Sequence, residues 1–352
     1  MTFLRILKRI AIVILFVIGF FVILESSPKA LSYQTENPWI NHTNRPWIIP
    51  HGGAKALYPE NTIYAFNQTS QYDVFEVDLT LTKDNILISH HDLDLRQDLL
   101  LEDLTDDLII RNLTYQEIID RIVANDYPYV RAFKDIEGQT PYATLTDQTI
   151  LDQMLPMKLV DLFNTYPTKR YILEIKDVRT DEEDTFTIAA NALLKLIEAY
   201  NMKDRVMVSS FSDEVIEHFM ALSNHEIHTS TATSETLKMV LLSAFSVDFL
   251  YRPKYAAMAI PIDSSLSDGQ GKLIASLPSF IRSRIAREIN GQWRTNLAQA
   301  SLVNDAHRHN MSVIFWTVDD EADMRKLIKL GVDGIITDRP DRLEALYLEL
   351  GI

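Results

Sequence analysis

The chain of 352 residues contains no cysteine, and basic residues are scarce relative to acidic ones. The absence of cysteine excludes disulfides, thiolate metal sites and cysteine nucleophiles. With 34 Lys and Arg against 49 Asp and Glu, the formal net charge is −15. This argues against a general nucleic-acid-binding protein, because such a protein needs a basic surface. No Gly-x-Gly-x-x-Gly or P-loop pattern occurs, so a dinucleotide- or nucleotide-binding fold is not favoured.

Apolar residues are abundant, at 47% of the chain, which is typical of a globular protein. One apolar run stands apart at the N-terminus, behind Arg5, Lys8 and Arg9. We interpret residues 1–30 as a transmembrane signal anchor. A cleaved signal peptide is the alternative, although residues 27–30 make a poor cleavage site because a proline intrudes. In both cases the flanking positive charge predicts that the rest lies outside the cytoplasm, at the cell membrane or secreted.

Residues 31–46 are polar and are typical of a linker, and β-branched runs alternate with helical patterns from residue 47 onward. Such alternation predicts a parallel sheet. The number of strands favours an α/β fold of the (β/α)8 or TIM barrel type for residues 47–352. The predicted strands are Trp47–Pro50, Val74–Leu79, Tyr171–Ile175, Val206–Ser209, Glu226–Thr229, Ala257–Ile260, Val313–Val318 and Gly334–Thr337.

Two segments exceed this simple repeat, at about residues 93–150 and 262–295. The first follows a predicted hairpin strand at Ile86–Ser89 and contains a predicted helix at Tyr115–Ala124. The second contains a helical pattern at Ser279–Asn290. Loops of this length beside a barrel mouth are often lids or substrate walls, and decoration of the surface is the alternative.

Acidic side chains recur at a spacing of two in the predicted strands. Glu76 and Asp78 therefore point the same way, and two such carboxylates are costly to bury unless a cation neutralises them. Glu174 and Lys176 repeat the spacing. Three carboxylates suit Mg²⁺ or Ca²⁺ better than a structural zinc. Taken alone, Glu174 and Lys176 are equally well explained as a buried ion pair.

Two histidines lie at the ends of predicted strands. His51 is followed by Gly52 and Gly53, which let the backbone approach a ligand closely. His91 follows His90, and we expect one of this pair to face the site and the other to face solvent. Histidines beside paired carboxylates favour general acid–base catalysis.

A polar segment, Pro59 to Thr62, opens the helix that follows the first strand. Asn61 or Thr62 is a candidate for capping that helix. The functional interpretation is that Asn61, together with Glu60, supports the site.

The order of these motifs resembles the glycerophosphodiester phosphodiesterase family, from about residue 47 to residue 345. The N-terminal part of the pattern is His51-x-Gly, Pro59-Glu-Asn-Thr, Glu76-x-Asp, Thr82-x-Asp and His91-Asp. The later part is Leu173-Glu-Ile-Lys, Ser209-Ser-Phe, Phe315-Trp-Thr-Val and Gly331-Val-Asp-Gly-Ile-Ile-Thr-Asp-Arg-Pro.

The resemblance implies a barrel whose site lies at the C-terminal mouth. It implies metal-dependent hydrolysis of glycerophosphodiesters, or of related phospholipid-derived substrates, to an alcohol and glycerol 3-phosphate. It further implies that one divalent ion, Ca²⁺ or Mg²⁺, binds to Glu76, Asp78 and Glu174. His51 and His91 would then be the general acid and base.

Other residues would bind the substrate if the resemblance holds. Lys176 would neutralise phosphate charge, while Phe211 and Trp316 would line the cleft. The family usually has His-Arg-Gly where this chain has Gly52, so a bidentate phosphate donor is missing. Lys55 is a candidate to replace it as a point charge.

Two further positions depart from the family pattern. Asp319 stands where the family usually has Asn, and we interpret it as the cap of a helix predicted at Glu321–Leu330. A second cation, or repulsion of an anionic ligand, is the alternative for Asp319. Ser89 and His90 replace the apolar residues that usually precede His91. These departures bear on the substrate more than on the reaction class.

Several functions stay open on the sequence alone. An anchored barrel would have its mouth near lipid, so a phospholipase-like enzyme, of lysophospholipase D or C type, is one alternative. A catalytically impaired ligand-binding barrel, with Gly52 marking the loss, is another. A retaining glycosidase is less favoured, because it needs two carboxylates about 5 Å apart and no histidine pair. The sequence does not predict the oligomeric state.

Overall fold

The protein is described here by a computed structural model, which covers residues 2–26, 36–179 and 184–352. Three predictions fall at least partly on residues outside these ranges. They are residues 1 and 27–30 of the predicted signal anchor, the signal-cleavage site at residues 27–30 and the first part of the predicted linker at residues 31–35.

The described residues form strands and helices in alternation, joined by short 3-10 turns. The strands are β1 (Trp47–Pro50), β2 (Val74–Leu81), β3 (Leu87–Ser89), β4 (Arg170–Ile175), β5 (Val206–Ser209), β6 (His228–Thr229), β7 (Ala257–Pro261), β8 (Ala286–Ile289), β9 (Gln292–Thr295), β10 (Ser312–Trp316) and β11 (Gly334–Thr337). The helices are α1 (Thr2–Ser26), α2 (Ile63–Gln68), α3 (Arg96–Leu99), α4 (Tyr115–Ala124), α5 (Pro128–Ala132), α6 (Gln148–Asp152), α7 (Leu159–Thr165), α8 (Thr185–Ala199), α9 (Asp213–Leu222), α10 (Thr233–Ala244), α11 (Asp268–Ser276), α12 (Ser279–Ile285), α13 (Ala300–Arg308), α14 (Glu321–Leu330) and α15 (Pro340–Leu350).

The parallel strands follow one another around the sheet in the order β1, β2, β4, β5, β6, β7, β10 and β11. Hydrogen-bonded ladders run from β2 to β6 and from β7 through β10 and β11 to β1. A parallel bridge between Ser230 and Ala257 joins the two sheets at one seam, and β1 lies against β2 at the other. The α/β fold is confirmed, and this arrangement of parallel strands is consistent with a TIM barrel.

The interior of the parallel sheet is apolar at one end and acidic at the other. One side chain from each of several strands fills the apolar end, and Trp39 closes it; these strand residues are Ile49, Val74, Ile172, Met207, Ala257, Ile314 and Ile336. Side chains two apart on a strand share a face. Glu76 and Asp78 therefore continue the row begun by Val74, and Glu174 continues the row begun by Ile172. The acidic residues lie at the carboxyl ends of the strands.

Most predicted strands and helices are present with shifted ends, and the hairpin strand β3 pairs antiparallel with β2. The helix predicted at Ser279–Asn290 is wrong in its second half. There, β8 pairs antiparallel with β9 across Asn290 and Gly291, whose φ angles are 51° and 78°. Asn-Gly is a strong hairpin signal because both turn positions need a positive φ.

Helix capping resolves two further predictions. Thr62, not Asn61, caps α2, since its Oγ1 accepts a hydrogen bond from Ala65 N (3.2 Å). Asp319 was expected to cap α14, and that is wrong. Asp320 caps this helix, because its Oδ1 accepts hydrogen bonds from the backbone N–H groups of Ala322 and Asp323.

The N-terminal apolar run forms α1, which lies against the 3-10 turn Asp248–Leu250. Across the residues that the structure describes, no helix is both long and apolar enough to cross a membrane. The predicted signal anchor is therefore not confirmed and stays a prediction.

Each insertion has an apolar cluster of its own. In the first, helices α3 to α6 surround buried residues that include Leu95, Ile110, Ile118 and Val130. In the second, Ile285 and Ala286 pack with Trp293 and with side chains of α11 and α12. The insertions are thus small folded units rather than extended loops.

Candidate active site

The predicted site residues come from different strands but collect at one end of the barrel, because the carboxyl ends of parallel strands meet there. His51 directly follows β1, and His91 follows β3 after one residue. Lys176, Phe211 and Trp316 lie at or just after the ends of β4, β5 and β10.

A candidate cation site lies between β1 and β2. One ligating atom each from His51, Glu76 and Asp78 lie within 4.8 Å of one another. The structure thus brings together two of the three predicted metal ligands and adds a histidine. The third, Glu174, is paired in register with Asp78 on the neighbouring strand but is not a member of this group.

Lys176 lies between two of the acidic residues. Its Nζ is 2.9 Å from Asp78 Oδ1 and 2.8 Å from Glu174 Oε1. Burial alone would lower the pKa of Lys176, but these two carboxylates raise it above its ordinary value. Glu174 and Lys176 do form the partly buried ion pair that the sequence allowed, and they share it with Asp78.

Glu76 is the carboxylate without a lysine partner. It is only 4% exposed, and its Oε2 accepts a hydrogen bond from Gly52 N at 2.9 Å. Burial, and then the negative charge of Asp78, raise the pKa of Glu76 to about 8. A buried carboxyl with so high a pKa is in a place where added positive charge is strongly favoured.

The donor set fits a hard divalent cation. It consists of the buried carboxylate oxygens of Glu76 and Asp78, without sulfur, and the imidazole of His51 lies beside them. Oxygen-rich sets of this kind suit Mg²⁺, Ca²⁺ or Mn²⁺. A cation at Glu76 would also remove the repulsion that raises the pKa of this residue.

His51 has a partner that the sequence interpretation missed. Its Nδ1 lies 2.7 Å from Asp338 Oδ1. Burial by itself would lower the pKa of His51, but the hydrogen bond to Asp338 and the charge of Glu76 raise it to about 8. The available signal was the position of Asp338, directly after β11, which pairs with β1.

Asp319 holds Asp338 in place. Its Oδ1 accepts hydrogen bonds from Thr337 Oγ1 (2.9 Å) and from the backbone N–H of Asp338 (2.8 Å). Thr337 Oγ1 in turn accepts a hydrogen bond from Arg339 N (2.9 Å). The Asp that replaces the expected Asn is therefore a support of the loop behind His51.

His90 and His91 have different environments. His91 is exposed, and its Nδ1 lies 2.7 Å from Asp92 Oδ1. It nevertheless lines a cavity together with Asn61, which contacts Asp78. His90 was expected to face solvent if His91 faced the site, and that is wrong. His90 is buried, with Nε2 2.8 Å from Asp98 Oδ2.

Asn61 supports the carboxylates directly. Its Nδ2 donates to Asp78 Oδ2 at 2.9 Å, and its Oδ1 accepts a hydrogen bond from Ser89 Oγ at 2.8 Å. Its backbone N–H donates to Gly52 O at 2.7 Å. Burial raises the pKa of Asp78, but Lys176 and Asn61 outweigh that effect and hold it below its ordinary value.

The glycine-rich turn after β1 has a left-handed backbone. Gly52 has a φ of 52°, and a Cβ there would lie 3.3 Å from Asn61 Nδ2. At Gly53, φ is 85° and a Cβ would lie 2.6 Å from Ala65 Cβ, so only glycine fits without a shift. Close packing of this turn is what brings Gly52 N to Glu76.

Lys55 lies near this turn but has an acidic partner. Its Nζ is 3.6 Å from Glu60 Oε2, and its charge acts on His51. Glu60 Oε1 also accepts a hydrogen bond from Gln97 Nε2 at 3.1 Å. Lys55 and Glu60 thus form a charged pair beside His51, and Gln97 ties this pair to the first insertion.

Two aromatic side chains border the acidic group. Phe211 and Trp316 pack edge to face with ring centroids 5.3 Å apart, and Lys176 Nζ lies 6.0 Å from the Phe211 centroid. Phe211 is 57% exposed. The two rings form an apolar wall next to Lys176.

The first insertion contributes residues that lie beside the site. A cavity of about 30 Å³ is lined by side chains of the site and by side chains of the insertion, namely Glu60, Asn61, His90, His91, Gln97, Asp98 and Tyr129. Such a volume holds about one water molecule. The insertion is therefore a wall of the site rather than surface decoration alone.

Comparison with known proteins places this geometry in a family. The sequence model described as the glycerophosphoryl diester phosphodiesterase family matches residues 51–342. A glycerophosphodiester phosphodiesterase of Caldanaerobacter subterraneus subsp. tengcongensis is 25% identical, over 84% of this chain and 95% of that protein. A lysophospholipase D of Rattus norvegicus is 22% identical over 84% of each. A solved Oleispira antarctica phosphodiesterase, in complex with the product sn-glycerol-3-phosphate, has a TM-score of 0.53 and 16% identity, over 86% of this chain and 96% of that one.

Proposed function

The chain belongs to the glycerophosphoryl diester phosphodiesterase family and is a phosphoric diester hydrolase; we propose that it hydrolyses glycerophosphodiesters to an alcohol and glycerol 3-phosphate by metal-assisted acid–base catalysis. The observation that carries the proposal is the group of His51, Glu76 and Asp78, whose ligating atoms lie within 4.8 Å. It combines a cation site and a proton-transfer group at one end of the barrel.

Glu76, Asp78 and, from the next strand, Glu174 would hold one divalent cation, Mg²⁺ or Ca²⁺. When bound, such an ion supplies positive charge that stabilises the negative charge developing on the phosphoryl oxygens. The two strand residues are buried and point the same way. Asn61 keeps the carboxylate of Asp78 in one orientation.

His51 and His91 are proposed as the general acid and base. Each has Nδ1 next to an aspartate oxygen at 2.7 Å, Asp338 for His51 and Asp92 for His91. An aspartate at Nδ1 orients an imidazole ring and leaves Nε2 to exchange a proton with the substrate. One ring would activate the nucleophile and the other would protonate the leaving oxygen.

Lys176, Phe211 and Trp316 are proposed to bind the substrate. Lys176 Nζ lies beside the carboxylates and near the Phe211 ring, so it can neutralise a phosphate there. The exposed aromatic wall offers contact to the alcohol portion. Lys55, which lies 3.6 Å from Glu60 Oε2, is proposed as a second phosphate contact.

Glycerol 3-phosphate is proposed as one product on two grounds. The family name specifies glycerophosphoryl diesters, and the Oleispira antarctica relative is in complex with sn-glycerol-3-phosphate. The present site has the buried carboxylates and the lysine that a phosphate monoester with a divalent ion would contact.

A phospholipase-like action on membrane lipids is the second candidate. It is favoured by the Rattus norvegicus relative, which is named a lysophospholipase D, and by the exposed ring of Phe211 at the mouth. We propose the extracytoplasmic side of the cell membrane as the location, on the sequence argument alone. A comparison of rates on glycerophosphocholine and lysophosphatidylcholine separates the two substrates.

The proposal is tested by assaying His51→Ala and His91→Ala on glycerophosphocholine. Each variant should lose about 10²- to 10⁴-fold in kcat, which is the usual contribution of a general acid or base. His42→Ala, at an exposed histidine away from the site, is the matched control and should keep the wild-type rate. Wild-type rates in both site variants would overturn the acid–base assignment.

The same assay tests the alternative that the protein is a catalytically impaired, ligand-binding barrel. If Gly52 marks a lost activity, the wild-type chain binds the diester or its product without turnover. Turnover by the wild type that depends on His51 and His91 rejects this alternative.

A further inference from the structure

Helix α10 is apolar on two faces. Its inner face packs into the protein through Met239, Val240 and Ala244, which are buried. Its outer face carries Leu237 and Leu241, and Phe245 follows at the end of the helix. Residues at intervals of four lie on one side of a helix, so these three form a stripe. An apolar stripe on the outer side of a helix is expected where that side is covered.

The stripe continues onto the 3-10 turn that follows. Leu237, Leu241, Phe245 and Leu250 are 55%, 36%, 47% and 58% exposed. We call these four residues the apolar patch. Single exposed leucines are common, but a contiguous set on neighbouring elements marks an interaction surface.

The exposed charges that border the apolar patch are mainly positive. Between Leu237 and Lys254 the only acidic residue is Asp248, which is fully buried and pairs with His309. The basic side chains Lys238, Arg252 and Lys254 are exposed, and Glu235 pairs with Lys238 at 3.1 Å, which leaves a net positive border. This is unusual for a chain whose net charge is −15, and it suits an anionic partner.

The surroundings of the apolar patch distinguish lipid from a second copy of the chain. Helix α1 lies against the turn that carries Leu250. Its apolar side chains from Ile12 to Ile18 are exposed, as are Phe20, Val22 and Ile23. Two apolar surfaces therefore meet at one side of the barrel. A symmetric dimer through the apolar patch would instead place Lys238, Arg252 and Lys254 opposite themselves.

We propose that the apolar patch and its basic border lie on the surface of an anionic lipid bilayer, beside α1. Apolar side chains that enter the acyl boundary, flanked by Lys and Arg at the headgroups, are the usual elements of such contact. The start of α10 is linked to the mouth, since Thr233 Oγ1 donates to Phe211 O at 2.9 Å. Contact along α10 would therefore bring the rings of Phe211 and Trp316 near the headgroups.

The absence of cysteine allows a direct test in the full chain. A single cysteine at Leu241→Cys carries a polarity-sensitive fluorophore, and Leu348→Cys is the matched control. Leu348 is 80% exposed and lies on α15, a helix that packs beside α14 and β1. The probes are vesicles of phosphatidylglycerol and phosphatidylcholine, with and without brominated acyl chains.

The label at position 241 should shift to shorter wavelength on vesicles and lose intensity when the acyl chains are brominated. The label at position 348 should do neither, although α1 is present in both variants. Equal responses at the two positions would overturn the proposal. A shift at position 241 that needs high protein concentration and no vesicles would also overturn it, in favour of a second copy.

Discussion

At the scale of single residues, the site depends on polar groups that neutralise one another across strands. Lys176 forms ion pairs with Asp78 and Glu174. Glu76 instead accepts a hydrogen bond from the backbone N–H of Gly52 and lies near His51. On the histidine side, Asp338 orients His51. Removing one partner of such a buried pair is costly, because the other is left unsatisfied.

Asp338→Asn tests whether Asp338 positions His51. The variant removes the negative charge at Nδ1 and allows the amide to present N–H instead of oxygen. We expect kcat/KM on glycerophosphocholine to fall by about 10- to 100-fold, the usual effect of a residue that orients a functional histidine.

Asp319→Asn is the matched control for that measurement. Asp319 accepts hydrogen bonds from Thr337 and Asp338 through Oδ1, and asparagine keeps that oxygen. This variant should retain most of the activity. An equal loss in both variants would show that the loop as a whole, rather than the contact of Asp338 with His51, is what matters.

The sequence could predict part of this residue-level picture. Glu76 and Asp78 share a face because strands have a period of two, and this requires no knowledge of other strands. The contact of His51 with Asp338 joins residues separated by 287 positions, and periodicity carries no information about such pairs. The same holds for Lys176 and Asp78, whose pairing follows from the register of β4 on β2.

At the scale of elements, a buried ion pair stabilises the segment that follows β3. His90 Nε2 contacts Asp98 Oδ2 at 2.8 Å, and His90 Nδ1 lies 2.7 Å from Asp92 O. These contacts hold the backbone on both sides of His91, the exposed candidate catalytic residue, because His90 precedes it and Asp92 follows it. His90, at a position where the family usually has an apolar residue, thus stabilises this segment through an ion pair.

The stability provided by the ion pair of His90 with Asp98 should depend on pH. Burial would lower the pKa of His90, but Asp98 and Asp92 raise it to about 9 from the ordinary 6.5. The stabilisation is therefore complete below pH 6.5 and is lost as the pH rises through about 9. His90→Gln should cost up to about 3 kcal/mol of unfolding free energy near pH 6 and much less near pH 10.

Urea unfolding of the wild type and the variant at both pH values measures this difference. His42→Gln, at an exposed histidine, is the control and should change the unfolding free energy little at either pH. A cost of His90→Gln that is the same at low and high pH would contradict the ion-pair account.

The elements themselves were largely predictable from local patterns, and the errors have local causes. The helix predicted to reach Asn290 ends at Ile285, because the Asn-Gly turn forms the β8–β9 hairpin. This turn is a stronger signal than the apolar spacing on which the prediction rested. The cap of α14 was misplaced by one residue, from Asp320 to Asp319, since both are aspartates and both precede Glu321. The alternation of strands and helices, by contrast, needs no such detail and was confirmed.

At the scale of the whole molecule, one end of the parallel sheet stabilises the fold and the other end carries the candidate active site. Its apolar end, with Trp39 beneath residues such as Ile172 and Ile314, supplies the buried surface that stabilises the fold. Its other end carries buried carboxylates that cost stability. This division is typical of barrels, in which one end serves stability and the other serves chemistry. The number of strands predicted a barrel, and the sequence left open whether the first insertion is a substrate wall or surface decoration. The contacts of that insertion with the site join residues far apart in the chain, and local patterns carry no information about them.

The central claim is that the buried carboxylates of β2 hold the divalent cation that hydrolysis requires. The direct measurement is release of glycerol 3-phosphate from glycerophosphocholine by wild type and Glu76→Gln, after EDTA and during re-addition of Mg²⁺ or Ca²⁺. Glutamine keeps the shape of Glu76 and an acceptor for Gly52 N, but it removes the charge. The lost charge stabilisation is several kcal/mol, which corresponds to a fall of about 100-fold or more.

The account predicts that EDTA stops hydrolysis by the wild type and that at least one of the two ions restores it. Hydrolysis by Glu76→Gln should stay low after either ion is added. Wild-type hydrolysis that persists in EDTA, or a variant restored as fully as the wild type, would contradict it.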